Sequence, residues 1–121
     1  MATITDISRN VDSDTTVIAK ANCGIPEFKE GSIVYTGTEK LMADYVHLAM
    51  NSGAKIIGGC CGTTFRHIKS MRLAMDEHQM NGSPSMPDIE EKIGKMSKGS
   101  RAIFMGDDSS PVKKRRSRRL K

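Results

Sequence analysis

Lys55-Ile56-Ile57-Gly58-Gly59-Cys60-Cys61-Gly62-Thr63-Thr64 places two adjacent cysteines at the end of an apolar run, between glycines. The run Ala54 to Gly58 is short and continuous, which fits a strand buried on both faces better than an alternating edge strand. Neighbouring Cα atoms lie about 3.8 Å apart across a trans peptide. Ordinary disulfides want roughly 4.4–6.8 Å between Cα atoms, so a bridge within the pair is strained. Two readings follow. The thiolates ligate one soft cation such as zinc, or both cysteines are small apolar core residues. Structural zinc motifs usually use a C-x-x-C spacing, so spacing alone does not choose between them.

Working outward, Thr64 to Gln79 reads as a helix with Phe65, Ile68, Arg72 and Met75 on one face, stopped by Asn81-Gly82. Upstream, Thr38 to Ser52 carries Leu41, Tyr45, Leu48 and Ala49 at helical spacing, with Met42 and Val46 beside them. Thr36 and Glu39 have capping-box spacing, and Gly53 stands where a C-terminal glycine belongs. A polar loop with Gly31 and Gly37 precedes this helix. Before it, Thr16 to Ala21 is a β-branched run ending in Asn22-Cys23-Gly24-Ile25-Pro26, a strand followed by turn chemistry. The order strand, helix, strand, helix predicts α/β architecture with a parallel, right-handed crossover.

The chain has 121 residues, 37% of them apolar and 4% aromatic. That is low against the ~45–50% apolar content of typical globular chains. The deficit lies at the ends. Three segments follow: a loose one over 1–16, a core-forming βαβα part over 17–81, and a mostly disordered tail over 82–121 with a basic end. Ile89, Ile93 and Met96 suit one helical turn or two. Seven of the last nine residues are Lys or Arg; removing them from the net charge of +5 leaves −2, so the body is not basic. Three cysteines cannot complete a disulfide framework. No apolar run approaches a membrane span, and the N-terminus lacks signal-peptide character. The expectation is a cytoplasmic, reducing setting with free thiols and no membrane partner.

Gly58-Gly59-Cys60-Cys61-Gly62-Thr63-Thr64 followed by His67-Ile68 resembles the G-G-C-C-G-T-x-P-x-H-I segment of zinc-dependent homocysteine S-methyltransferases, the bacterial betaine type among them. Ala21-Asn22-Cys23-Gly24-Ile25-Pro26 resembles that family's N-A-G-L-P turn. The resemblance covers roughly residues 17 to 80. It implies the last two βα units of a (β/α)8 TIM-type barrel, with Val17–Ala21 and Ala54–Gly58 as final strands. It also implies zinc held by Cys60 and Cys61, with a third cysteine from a strand outside this chain. Cys23 falls on the alanine of the family turn, which leaves it a lesser metal candidate. Asn22 and Gly59 are candidate substrate contacts. Phe65 replaces the family's proline and reads as a core residue. His67 reads as structural, and His47 and His78 as surface positions on helices.

The implied reaction transfers a methyl group to the thiol of homocysteine, giving methionine. The donor (betaine, S-methylmethionine, or a folate or cobalamin system) is not legible. Gly58, Gly59 and Gly62 let the backbone turn so that both sulfurs converge. A full barrel needs about 250 residues, so the expectation is a carboxy-terminal fragment, inactive alone. Two other classes stand beside this one. One is a non-catalytic zinc-binding remnant. The other is a small nucleic-acid-associated protein using residues 113–121 against phosphates, though no aromatic residues interleave that run.

Overall fold

Val17–Ala21 (β1) and Ala54–Gly59 (β4) pair in parallel, with Ile18 opposite Ile56, Lys20 opposite Gly58 and Ala21 opposite Gly59. The fold is α/β. The computed structural model describes residues 1–107. Both strands finish at the same level, so Asn22-Cys23 and Cys60-Cys61 leave the sheet side by side. Between them come the hairpin Pro26–Lys29 (β2) and Ser32–Tyr35 (β3), then the helix Glu39–Asn51 (α2). The remaining helices are Ala2–Asn10 (α1), Phe65–Asp76 (α3), Met86–Ile93 (α4) and Lys98–Met105 (α5).

Helix α2 is the wedge of the molecule. Tyr45 and Ala49 pack on Val17, Ala19 and Ala54 of the sheet. Met42 and Val46 meet Met71 and Ala74 of α3. Leu48 meets Ala2, Ile89 and Phe104 from α1, α4 and α5. The expected face was right apart from Leu41, which is only half-buried. The cap is Thr38, whose hydroxyl accepts from Leu41 N–H at 3.1 Å, and not Thr36. Thr36 lies two residues too early, in the extended approach to the helix.

Several expectations are corrected. Ala54–Gly58 is not buried on both faces: Ile18 and Ile56, opposed in register, are 60% and 52% exposed. Among the described residues the helices pack on the other side of the sheet. Phe65 is not a core residue; it is 79% exposed. Helix α3 meets α2 through Met71 and Ala74, which turns Phe65, Ile68 and Arg72 outward. The helix also stops at Asp76, and His78 leaves it to stack on His47 at 5.2 Å between ring centroids. The polar loop is a hairpin whose two-residue connection, Glu30-Gly31, has positive φ at both positions, as a type I′ turn requires.

Both ends carry more structure than the sequence suggested. Residues 2–10 form α1, and 86–105 contain α4 and α5. Eight-residue helices are marginal alone; here tertiary contact holds them. Ile89 is fully buried, and Phe104 sits under Arg9, whose guanidinium also donates to the Phe104 carbonyl at 3.1 Å. A capping box of Ser85 and Asp88 starts α4. The basic run at 113–121 lies outside the described residues. No helix among the described residues is long and apolar enough to cross a membrane.

Candidate functional site at the carboxyl end of the sheet

Cys60 and Cys61 follow β4 directly. Both are free and exposed, with their Sγ atoms 3.9 Å apart. This is far beyond a sulfur–sulfur bond. Two thiolates at the zinc–sulfur distance of about 2.3 Å in tetrahedral geometry stand about 3.8 Å apart. The pair therefore has the spread that one tetrahedral cation requires. Among the described residues no group of three or more His, Cys, Asp or Glu side chains gathers around a cation site. Two sulfurs alone are fewer than the four donors a tetrahedral cation takes.

The turn that presents them is built tightly. Thr63 N–H donates to the Cys60 carbonyl at 3.1 Å, closing a four-residue turn. A Cβ on Gly59 would overlap the Thr63 side chain, so only glycine fits where the strand enters the turn. Gly62 has φ +78°, and a Cβ there would overlap the ring of Tyr35. The Thr63 hydroxyl is buried and has no hydrogen-bond partner. A buried polar group of this kind calls for an explanation; this one lies beside the exposed sulfurs.

Tyr35 is the residue that sequence reasoning missed. It ends β3 opposite Pro26, and its ring lies against Gly62 of the cysteine turn. Interaction with the Cys61 side chain, some burial, and the nearby charges of Cys61 and Cys60 push the phenol pKa up. The signal was the Glu30-Gly31 pair between two short runs. Once those are seen as a hairpin, Tyr35 must return to the level of Cys23.

Residues 1–75 match the homocysteine S-methyltransferase family. The chain belongs to that family. The match takes in α1, the sheet, the hairpin, α2, the cysteine turn and nearly all of α3; α4 and α5 lie beyond it. Homocysteine is the substrate of homocysteine S-methyltransferases, and methyl transfer is their chemistry at the family level.

The structure does not bring Cys23 into the thiol pair. Cys23 is 1% exposed and packs among Met42, Val46, Met71 and Ala74. Its Sγ donates to the Gly37 carbonyl at 3.4 Å, and burial pushes its thiol pKa up. The link to the site is through its backbone: Cys23 N–H donates to the Cys61 carbonyl at 2.9 Å. Asn22 is exposed at the same rim and lines a cavity of about 250 Å³ with Ala21, Gly24, Ile25 and Tyr45. His67 caps α3, with Nδ1 accepting from Thr64 N–H at 3.0 Å. His47 and His78 are not plain surface residues: their Nδ1 atoms lie 2.9 Å apart. Burial first, then the charges of His47 and Lys92, hold the His78 pKa down.

Proposed function

We propose that the Cys60–Cys61 turn is the thiolate half of a zinc centre that transfers a methyl group to the thiol of homocysteine, giving methionine. The observation that carries this reading is the pair of free sulfurs 3.9 Å apart in a member of the homocysteine S-methyltransferase family. The chemistry zinc supplies at such a site is to deprotonate a coordinated thiol at neutral pH. Cys60 and Cys61 would hold the ion. Gly59 and Gly62 allow the turn that aims both sulfurs one way. Thr63 and Asn22 supply polar groups at the rim for orienting substrate. Positioning of this kind turns a bimolecular encounter into an aligned reaction.

In the same reading, β1–α2 and β4–α3 are the last two βα units of a (β/α)8 barrel. Barrel active sites lie at the carboxyl ends of strands, and both Asn22 and the cysteine pair stand at that end of a parallel sheet. The open face at Ile18 and Ile56 is the surface that further strands would cover. The third protein ligand comes from outside the described residues. A reducing, cytoplasmic compartment suits the exposed thiols.

The experiment is zinc content together with methylation of homocysteine, with betaine, S-methylmethionine and a methylfolate offered separately as donors. Cys60→Ala or Cys61→Ala should remove both metal and turnover. Activity that persists without these thiols overturns the assignment. A second reading is favoured by the presence of only two donor side chains at the site among the described residues. In that reading the chain by itself binds zinc without turnover, as a carboxy-terminal fragment or remnant of an enzyme. Stoichiometric zinc with no methyl transfer from any donor would establish it.

A further inference from the structure

Helix α3 ends at Asp76, and the connector to α4 meets α2 at His78. There the Nδ1 atoms of His47 and His78 stand 2.9 Å apart, with ring planes 30° from parallel. Two ring nitrogens at that distance hold one proton between them: one is an N–H and the other a bare lone pair. His78 Nε2 is buried without a hydrogen-bond partner, and Lys92 of α4 faces the ring. A lone pair suits a neighbouring ammonium better than an N–H does. The tautomer that fits has His78 donating its Nδ1–H to His47 and leaving Nε2 bare. Further along the connector, Asn81 N–H donates to the Asn51 side-chain oxygen at 3.3 Å. Both ties lie just past the end of the family match at residue 75, on the stretch that leads into α4 and α5. Ile93, next to Lys92, forms one wall of the cavity that Asn22 lines.

We infer that the His47–His78 pair is a proton-operated latch: it fastens the α4–α5 extension to the family-matched core near neutral pH and lets go when both imidazoles carry a proton. A first added proton has the bare His78 Nε2 to go to, where burial and Lys92 oppose it. A second has only the His47 Nδ1 lone pair, which is the acceptor of the bond. Two N–H groups and two positive charges then stand head to head. The other groups facing the pair are Glu77 beside His78 and the uncharged Asn51, Gln79 and Asn81. The single carboxylate of Glu77 is already matched by Lys92, so nothing among them offsets the added charge. In the open form water solvates both rings, so the open form binds protons more readily. The closed form loses ground as pH falls below about 6.5. Release of α4 takes Ile93 away from the cavity beside Asn22, which connects the latch to the rim of the candidate site. The latch does not depend on whether the cysteine turn holds zinc.

The test is hydrogen–deuterium exchange of the full chain at about pH 7.5 and about pH 5.5, on either side of the ordinary histidine pKa. Rates are corrected for the intrinsic pH dependence of exchange. Backbone amides of residues 77–93 should lose about tenfold in protection at the lower pH, relative to those of α3. In His78→Gln the protection of the same stretch should be flat with pH, whatever its level, because no pair remains to charge. Lys92→Gln should move the midpoint of opening to higher pH, a shift that a merely structural lysine would not produce. Equal protection of residues 77–93 at both pH values in wild type overturns the latch. So does a loss in His78→Gln as steep as in wild type. A Lys92→Gln midpoint at or below that of wild type overturns the tautomer on which the latch is built.

Discussion

Cys23 and the Cys60–Cys61 pair leave adjacent strands at the same height and are joined by one backbone hydrogen bond, yet they have opposite fates. Cys23 turns inward among methionines and donates its thiol proton to a carbonyl. The pair turns outward with both sulfurs free. Thiol chemistry depends on access and on stabilisation of the thiolate. Burial withholds both from Cys23, while the glycine-flanked turn offers access to its neighbours. One residue type thus serves as packing on one strand and as a candidate ligand set on the next.

The sharpest way to break this contrast is to exchange the roles. Cys60→Ala or Cys61→Ala should abolish cation uptake, measured by cadmium–thiolate absorption, with little change in thermal stability. A second effect comes from the interior. Ile89→Ala, at a fully buried position, should cost about 2–5 kcal/mol in denaturant unfolding. The folded fraction should keep its affinity for the cation. Cys23→Ala is the milder interior test: about 1 kcal/mol lost, with cation stoichiometry intact.

The smallest expected effect concerns pH. His78 has its folded pKa held below the ordinary value near 6.5. The unfolded chain therefore binds the proton more readily. The stabilising contribution is present above about pH 6.5 and is lost as pH falls toward the folded pKa. His47 from α2, Lys92 from α4 and Glu77 beside it face this group. A modest fall in the thermal midpoint between neutral and mildly acidic pH should flatten in His78→Gln.

The sequence was most legible where one local rule decided the outcome. The strand boundaries of β1, the turn at Asn22-Cys23, the helix α2 and the cysteine turn all follow from periodicity or from glycine placement. Legibility failed where tertiary contact decided. Helix α3 rotates its apolar stripe outward because Met71 and Ala74 fit closer to α2 than Phe65 and Ile68 would. Helices α4 and α5 rest on single anchors, Ile89 and Phe104, too sparse for a periodic pattern to show. Tyr35 was hidden because a Glu-Gly turn is a weaker hairpin signal than Asn-Gly or Asp-Gly. At the site, the pair was legible, but the inward turn of Cys23 was not. That depends on Gly37 approaching its backbone from the far side of the hairpin.

The most direct test is a zinc titration of the full chain by competition with a chromophoric chelator, repeated with Cys23→Ala and with Cys60 and Cys61 both replaced by Ala. The account predicts one equivalent of zinc taken up by wild type and by Cys23→Ala, and none by the double variant. Retention of zinc by the double variant, or its loss on replacing Cys23 in a chain that still folds, would contradict it.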